Sequence, residues 1–278
     1  MIKRILTGLV GSRYEDAVIT ASLELASLHH ASLNAVTAID LERMRDASRF
    51  AETDSPLSEK DPLGSAISEI SKSIREFERR CKESRLEYSV QRERRNEPFD
   101  FLSSLSRYHD LVVLSLKNVF DYEVGGHRFH DPSIVLVKLV SLGVHPIVAV
   151  PEEWRSIERV LIAYSGSVQS AAAVRRFAQL APFGQIQQVR VVTFQPDPER
   201  GQRLLSHLDA YLRSFGIDAE LESVPQKPKD QLLRAADSFG ADAIVMGNSA
   251  ESLLRRRVLG ETSLKAIRES GITLFLSQ

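Results

Sequence analysis

The sequence predicts an α/β protein built twice over: two tandem units, each a five-stranded parallel sheet covered by helices. Three observations carry this. Short Val/Ile/Leu runs alternate with helical patterns along the whole chain, the signature of βαβ units whose strands are buried on both faces. The chain also repeats itself. "IKRILTGLVGS" at Ile2–Ser12 matches "IERVLIAYSGS" at Ile157–Ser167, an offset of 157 − 2 = 155. "DLVVLS" from Asp110 matches "DAIVMG" from Asp242, and "GVHPIVAV" from Gly143 matches "GITLFLS" from Gly271, in the same order. Finally, 278 residues is long for one domain and comfortable for two of about 140.

The elements follow in order. Apolar runs at 2–10, 32–40, 86–91, 110–116 and 145–150 predict the strands of the first copy; those at 157–164, 188–194, 218–224, 242–247 and 272–277 predict the second set. Ala17, Ala21, Leu23, Leu25 and Ala26 mark a helix after the first strand, and Ala172, Val174, Phe177 and Leu180 mark its counterpart. "LERMRDASRFAETDSPLSEKDPLG", Leu41–Gly64, is polar and aperiodic and holds two prolines, so it reads as a surface loop ahead of a long helix over about 65–84. "PEEWRSI", Pro151–Ile157, is a short connection between the copies. It sets units of 1–152 and 153–278 that pack together and do not swing freely.

Composition excludes several classes. A formal net charge of −1 argues against broad electrostatic binding to nucleic acid or an anionic membrane surface. The longest apolar stretch, Ile134–Val150, is interrupted by Lys138, His145 and Pro146, which makes a poor membrane span. The opening MIKRILTGLV meets charge too early for a signal peptide. Cys81 is the single cysteine, so no intrachain disulfide forms and a cytoplasmic location is expected.

In open parallel sheets, ligands bind beyond the carboxyl ends of strands where the strand order reverses. That rule gathers Ser165–Ser167, Thr193 and Gly247 around one crevice of the second copy. "AIVMGNSAESLLRRRVLGETSLKAI" then resembles the C-terminal signature of the universal stress protein family. Nucleotide-binding members of that family carry Gly, two residues, Gly, nine residues, Gly, then Ser or Thr. Here Gly247 takes the first place, Ala250 the second and Gly260 the third; Glu261 stands in the Ser/Thr place with Thr262 after it. The likeness extends over both copies. It implies two Rossmann-like domains of the adenine nucleotide alpha-hydrolase type, paired about a pseudo-twofold axis, in a chain that homodimerises and serves the stress response. It also implies ATP or another adenine nucleotide in the second copy. Gly247, Asn248, Ser249, Ala250, Gly260, Glu261 and Thr262 would line the phosphate side, and Ala163, Ser165 and Thr193 the adenosine side.

The chemistry of this loop is altered. Glycines let backbone N–H groups approach phosphate oxygens, and the helix after Gly260 turns its N-terminal dipole towards the anion. Glu261 brings a negative charge instead of a hydroxyl donor. At about 4 Å from a phosphate the repulsion is roughly 1 kcal/mol in water and about 4 kcal/mol at an effective dielectric of 20, worth about one to three decades of affinity. Arg255, Arg256 and Arg257 admit a bidentate phosphate clamp that offsets Glu261, or else a solvated loop face, or pairing with Glu251 or Glu261. The family's aspartate at the end of the first strand is replaced by Ser165 in the second copy and by Val10 in the first. Ser115 and Asn118 stand where the first copy would need its leading glycines, and Gly125 and Gly126 are displaced, so that copy reads as degenerate.

Other candidates are weaker. "SGSVQS", Ser165–Ser170, resembles the Ser-Gly-Gly-x-Asp-Ser loop of ATP pyrophosphatases but lacks the second glycine and the aspartate; a strand-to-helix turn with a capping serine accounts for it. His127, His130 and Asp131 cluster in "GGHRFHD", short of four zinc ligands, and no metal is expected. Cys81, between Arg80 and Lys82, reads as a passive thiol. No catalytic constellation emerges, neither G-x-S-x-G, H-E-x-x-H nor a full Walker loop. A nucleotide-free scaffold acting through protein contacts is the alternative function.

Overall fold

A computed structural model describes residues 1–40, 62–95, 98–118, 132–144, 146–247 and 261–278. Ten strands form one continuous sheet: β1 (Arg4–Gly8), β2 (Ser32–Asp40), β3 (Tyr88–Arg95), β4 (Leu111–Ser115), β5 (Ile147–Val150), β6 (Arg159–Ala163), β7 (Gln188–Phe194), β8 (Ala219–Val224), β9 (Ala243–Gly247) and β10 (Thr273–Ser277). Eight helices among the described residues cover it: α1 (Glu15–His29), α2 (Pro62–Glu83), α3 (Pro98–Ser106), α4 (Pro132–Ser141), α5 (Val168–Leu180), α6 (Pro198–Arg213), α7 (Pro228–Phe239) and α8 (Glu261–Glu269). The long helix starts at Pro62, so Pro62–Gly64 belong to α2 and not to the predicted loop, whose remainder, 41–61, lies outside the described residues.

The strand order is β3-β2-β1-β4-β5-β10-β9-β6-β7-β8. Read outward from the middle, each set of five has the same order, and neighbours within a set are parallel. The order reverses between β1 and β4, and again between β6 and β9. The two sets join through one antiparallel pair, β5 with β10, in the register Ala149↔Leu274, Val148↔Phe275 and Ile147↔Leu276. The expectation of two sheets becomes a single sheet because these last strands pair edge to edge.

Both faces of the sheet are covered, and each core runs across the β5–β10 junction. One face buries Ile5, Val113, Val148, Val160, Val245 and Phe275 beneath α1, α2, α5 and α6; the other buries Leu6, Val112, Ala149, Leu161, Ile244 and Leu274 beneath α3, α4, α7 and α8. In α2 the buried residues Ile70, Ile74, Phe77 and Cys81 recur at helical spacing and form one apolar stripe. Phe177, Phe183 and Phe275 pack as a trio with ring centroids 5.8–6.4 Å apart, the tilted and edge-on contacts that aromatic quadrupoles favour.

The repeat extends to atomic detail. Asp110 Oδ2 accepts the N–H groups of Lys3 and Arg4 at 2.7 and 3.0 Å. Asp242 Oδ2 accepts those of Glu158 and Arg159 at 3.0 and 2.8 Å. In both copies an aspartate just before the fourth strand fastens the start of the first, satisfying donors at the sheet margin. Each half thereby fixes its switch point at the amino end, and the carboxyl end is where the candidate site lies.

Candidate functional site

β6 ends at Ala163, and the chain must turn sharply to enter α5. Gly166 makes this turn at φ +75°, a conformation that suits glycine. Ser167 then caps α5, its Oγ accepting the Ser170 N–H at 3.2 Å. The hydroxyls of Ser165, Ser167 and Ser170 converge on each other at 3.0–3.2 Å, so three rotatable donors and acceptors face one point at a helix N-terminus.

Beside this nest a cavity of about 200 Å³ opens between the carboxyl ends of β6 and β9. Its floor is apolar, with Ala163, Phe194, Leu232 and Met246; its polar wall comprises Ser165, Ser167 and Ser170, with Thr262 and Ser263 from the first turn of α8. Tyr164 also lines it, and burial pushes its phenol up from the ordinary range. The arrangement offers a slot for a flat or aliphatic group beside hydroxyls that can bind a polar one.

Of the residues singled out in the sequence, Ala163, Ser165, Gly247 and Thr262 come together at this cavity. Thr193 does not line it. Thr193 is fully buried, and its Oγ1 has no hydrogen-bond partner among the described residues. Strand side chains alternate between faces, and the flanking Val192 and Phe194 belong to the cavity's face, so Thr193 belongs to the other. Glu261 is the first residue of α8. Asn248, Ser249, Ala250 and Gly260, the three arginines and the His127–His130–Asp131 group lie outside the described residues. Among the described residues no group of His, Cys, Asp or Glu could hold a metal ion, and no helix is long and apolar enough to cross a membrane.

Packing gives a reason for glycine at position 247. A Cβ there would sit 2.5 Å from the carbonyl carbon and oxygen of Gln169 and 2.6 Å from the Ser170 N. The end of β9 therefore packs directly on the backbone of the first turn of α5. Ser167 lies within the Ser165–Ser167 turn that the switch-point rule gathers here, whereas sequence reasoning missed Tyr164, Ser170 and Ser263 as lining residues. Ser170 stands inside the quoted "SGSVQS"; nothing in the sequence signals the other two.

In the first half the equivalent turn is built differently. Val10 N–H donates to the buried carboxyl group of Glu15 at 2.7 Å, and Ser115 Oγ accepts the N–H groups of Lys117 and Asn118 at 3.2 and 3.1 Å. Side chains of the chain itself thus take up donors at that end.

In a doubly wound α/β sheet ligands are held beyond the carboxyl ends of the strands at the switch point, and the fold by itself does not fix which ligand or role. Residues 156–276 of the chain match the Universal stress protein family. Universal stress protein Slr1230 of Synechocystis sp. (strain ATCC 27184 / PCC 6803 / Kazusa) is 22% identical over 175 residues, which is 62% of this chain and 59% of that protein. The chain therefore aligns with about three-fifths of the length of this relative. The crystal structure of a universal stress protein from Archaeoglobus fulgidus DSM 4304 is similar over 99% of this chain and 98% of that one, with a TM-score of 0.66 and 16% identity. A chain from Pseudomonas aeruginosa UCBPP-PA14 gives 0.64 at 10% identity over 99% and 93%. Likenesses at these identities show the fold, and they span both halves.

Proposed function

We propose that the chain is a tandem universal-stress-type regulatory protein, with domains 1–152 and 153–278, whose second domain holds an adenine nucleotide weakly. The observation that carries this reading is the cavity at the β6/β9 switch point, with an apolar floor for a base and a hydroxyl wall continued by the first turn of α8. A helix N-terminus favours negative charge, and α8 begins where the glycine-spaced segment ends. The first domain serves as a pairing partner. A cytoplasmic, homodimeric protein of the stress response fits the same reading.

Titration calorimetry with ATP is the test. Glu261→Ser restores the family's hydroxyl and removes a charge, so affinity is expected to tighten at least tenfold, which corresponds to about 1.4 kcal/mol. An unchanged affinity would exclude electrostatic weakening at Glu261. A second reading, a nucleotide-free scaffold, is favoured by the packing of Gly247 on Gln169, which explains that glycine without any phosphate. It prevails when both wild type and Glu261→Ser ignore millimolar ATP.

A further inference from the structure

Glu15 opens α1 and is buried, only 6% exposed. Its Oε1 accepts the Val10 N–H at 2.7 Å. Its Oε2 is enclosed and meets no hydrogen-bond partner among the described residues. The internal repeat supplies a comparison within the same molecule. At the offset of 155, Val10 corresponds to Ser165 and Glu15 to Ser170. The Ser165 N–H approaches Ser170 Oγ at 3.4 Å, so one contact recurs in both halves, made by a hydroxyl in the second and by a carboxyl in the first. Only the first can ionise.

The turn that this carboxyl holds bears directly on α2. Gly11 has φ +72°, and a Cβ there would lie 2.6 Å from the Ile70 N. The backbones touch with no side chain between them, so the position of the turn and that of α2 are linked. The side-chain contact between Arg80 and Asp16, 2.9 Å, is a second tie between α2 and α1.

We propose that Glu15 is a proton-operated latch in the first half: protonated, it seats the β1–α1 turn against α2, and on losing its proton to solvent it releases that turn. A carboxylate in this place puts a charge with one unpartnered oxygen into the core, and desolvation opposes it. Burial pushes the Glu15 carboxyl up to about 7, against the opposing pull of the N–H groups of Val10, Ser12 and Gly11. Four charged groups of the neighbouring elements have partners of their own. Arg13 lies over the Tyr14 ring at 4.8 Å, Asp16 is held by Arg80 of α2, and Glu69 of α2 by Lys72 at 2.5 Å. Lys117, after β4, donates to the carbonyls of Arg268 and Ser270. Asp40 ends β2 at the same margin of the sheet. The sign follows from a folded pKa above the unfolded one: the stabilisation is complete below the ordinary glutamate range near 4.5 and is lost as pH rises through about 7.

The test is amide hydrogen exchange on the full chain at pH 6 and pH 8, corrected for intrinsic rates and read over residues 9–16 and 62–83. Wild type is expected to lose protection there at least tenfold between the two pH values, whereas Glu15→Gln, neutral and of the same shape, keeps it at both. Equal loss in wild type and Glu15→Gln, or no loss in wild type, would overturn the latch. Should Glu15→Gln fail to fold, the counterpart residue in Glu15→Ser serves the same comparison. Carbon-13 titration of the Glu15 carboxyl in wild type reads the proposal directly: a midpoint near 7 supports it, and one in the ordinary range sinks it. No nucleotide enters any of these measurements.

Discussion

Cys81 lies between Arg80 and Lys82, a setting that lowers the pKa of an exposed thiol. Here burial wins over the Arg80 charge and pushes the thiol up to about 12, so a reagent specific for thiolates should leave it unmodified in the folded chain. His109 is a parallel case. Its Nδ1 donates to the Leu105 carbonyl at 2.8 Å, which leaves Nε2 to accept from Asn34 Nδ2 at 3.3 Å. Burial, the larger cause, pulls its pKa below the ordinary value of 6.5. The folded chain therefore keeps His109 neutral while the unfolded chain takes up a proton, and its contribution to stability is lost as pH falls through the unfolded pKa of about 6.5. Urea denaturation at pH 7.5 and 5.5 should show His109→Gln losing less, or gaining more, on acidification than wild type; an identical change in both would refute this. The sequence displayed these residues but not their burial. Ser165 was legible because the switch-point rule needs only the end of a strand. Thr193 was misplaced because the rule does not say which face a strand residue takes.

Five of the eight described helices open on proline: Pro62, Pro98, Pro132, Pro198 and Pro228. Proline at the first position gives up an N–H that has no partner there and brings a helical φ, so these starts were readable in principle, including the α2 start that periodicity set three residues late. The inner strands were readable from their apolar runs, since a strand buried on both faces has no polar alternation to confuse it; the edge strands β3 (YSVQRERR) and β8 (AELESV) are polar and gave a weaker signal. What the elements do to each other was not readable. Gly247 looked like a phosphate-loop glycine, yet its Cβ position is taken by the backbone of α5. Gly247→Ala should therefore cost about 1–3 kcal/mol by overpacking, measured by chemical denaturation without any nucleotide. A cost near zero would mean that α5 shifts freely and that the glycine serves a ligand alone.

The duplication announced itself in the sequence, but the continuity of the sheet did not, because the β5–β10 pairing joins segments more than a hundred residues apart and leaves no local mark. That junction makes the two cores common property: Val148 and Phe275 meet on one face, Ala149 and Leu274 on the other. The chain's single tryptophan, Trp154, reports on the same region, with Nε1 donating to Glu24 of α1 at 2.6 Å. Unfolding followed by Trp154 fluorescence and by far-ultraviolet circular dichroism should give coincident transitions. Phe275→Ala should move both together by about 3–5 kcal/mol. Separated transitions would show that the halves melt independently.

The antiparallel seam has a consequence for how the molecule meets its surroundings. Strands in the first half run one way and those in the second run the other. Either margin of the sheet thus presents carboxyl ends from one half beside amino ends from the other. The hydroxyl nest of Ser165, Ser167 and Ser170 and the Glu15 turn consequently look out in opposite directions. A visitor at one cannot touch the other, and the molecule has two fronts and no back.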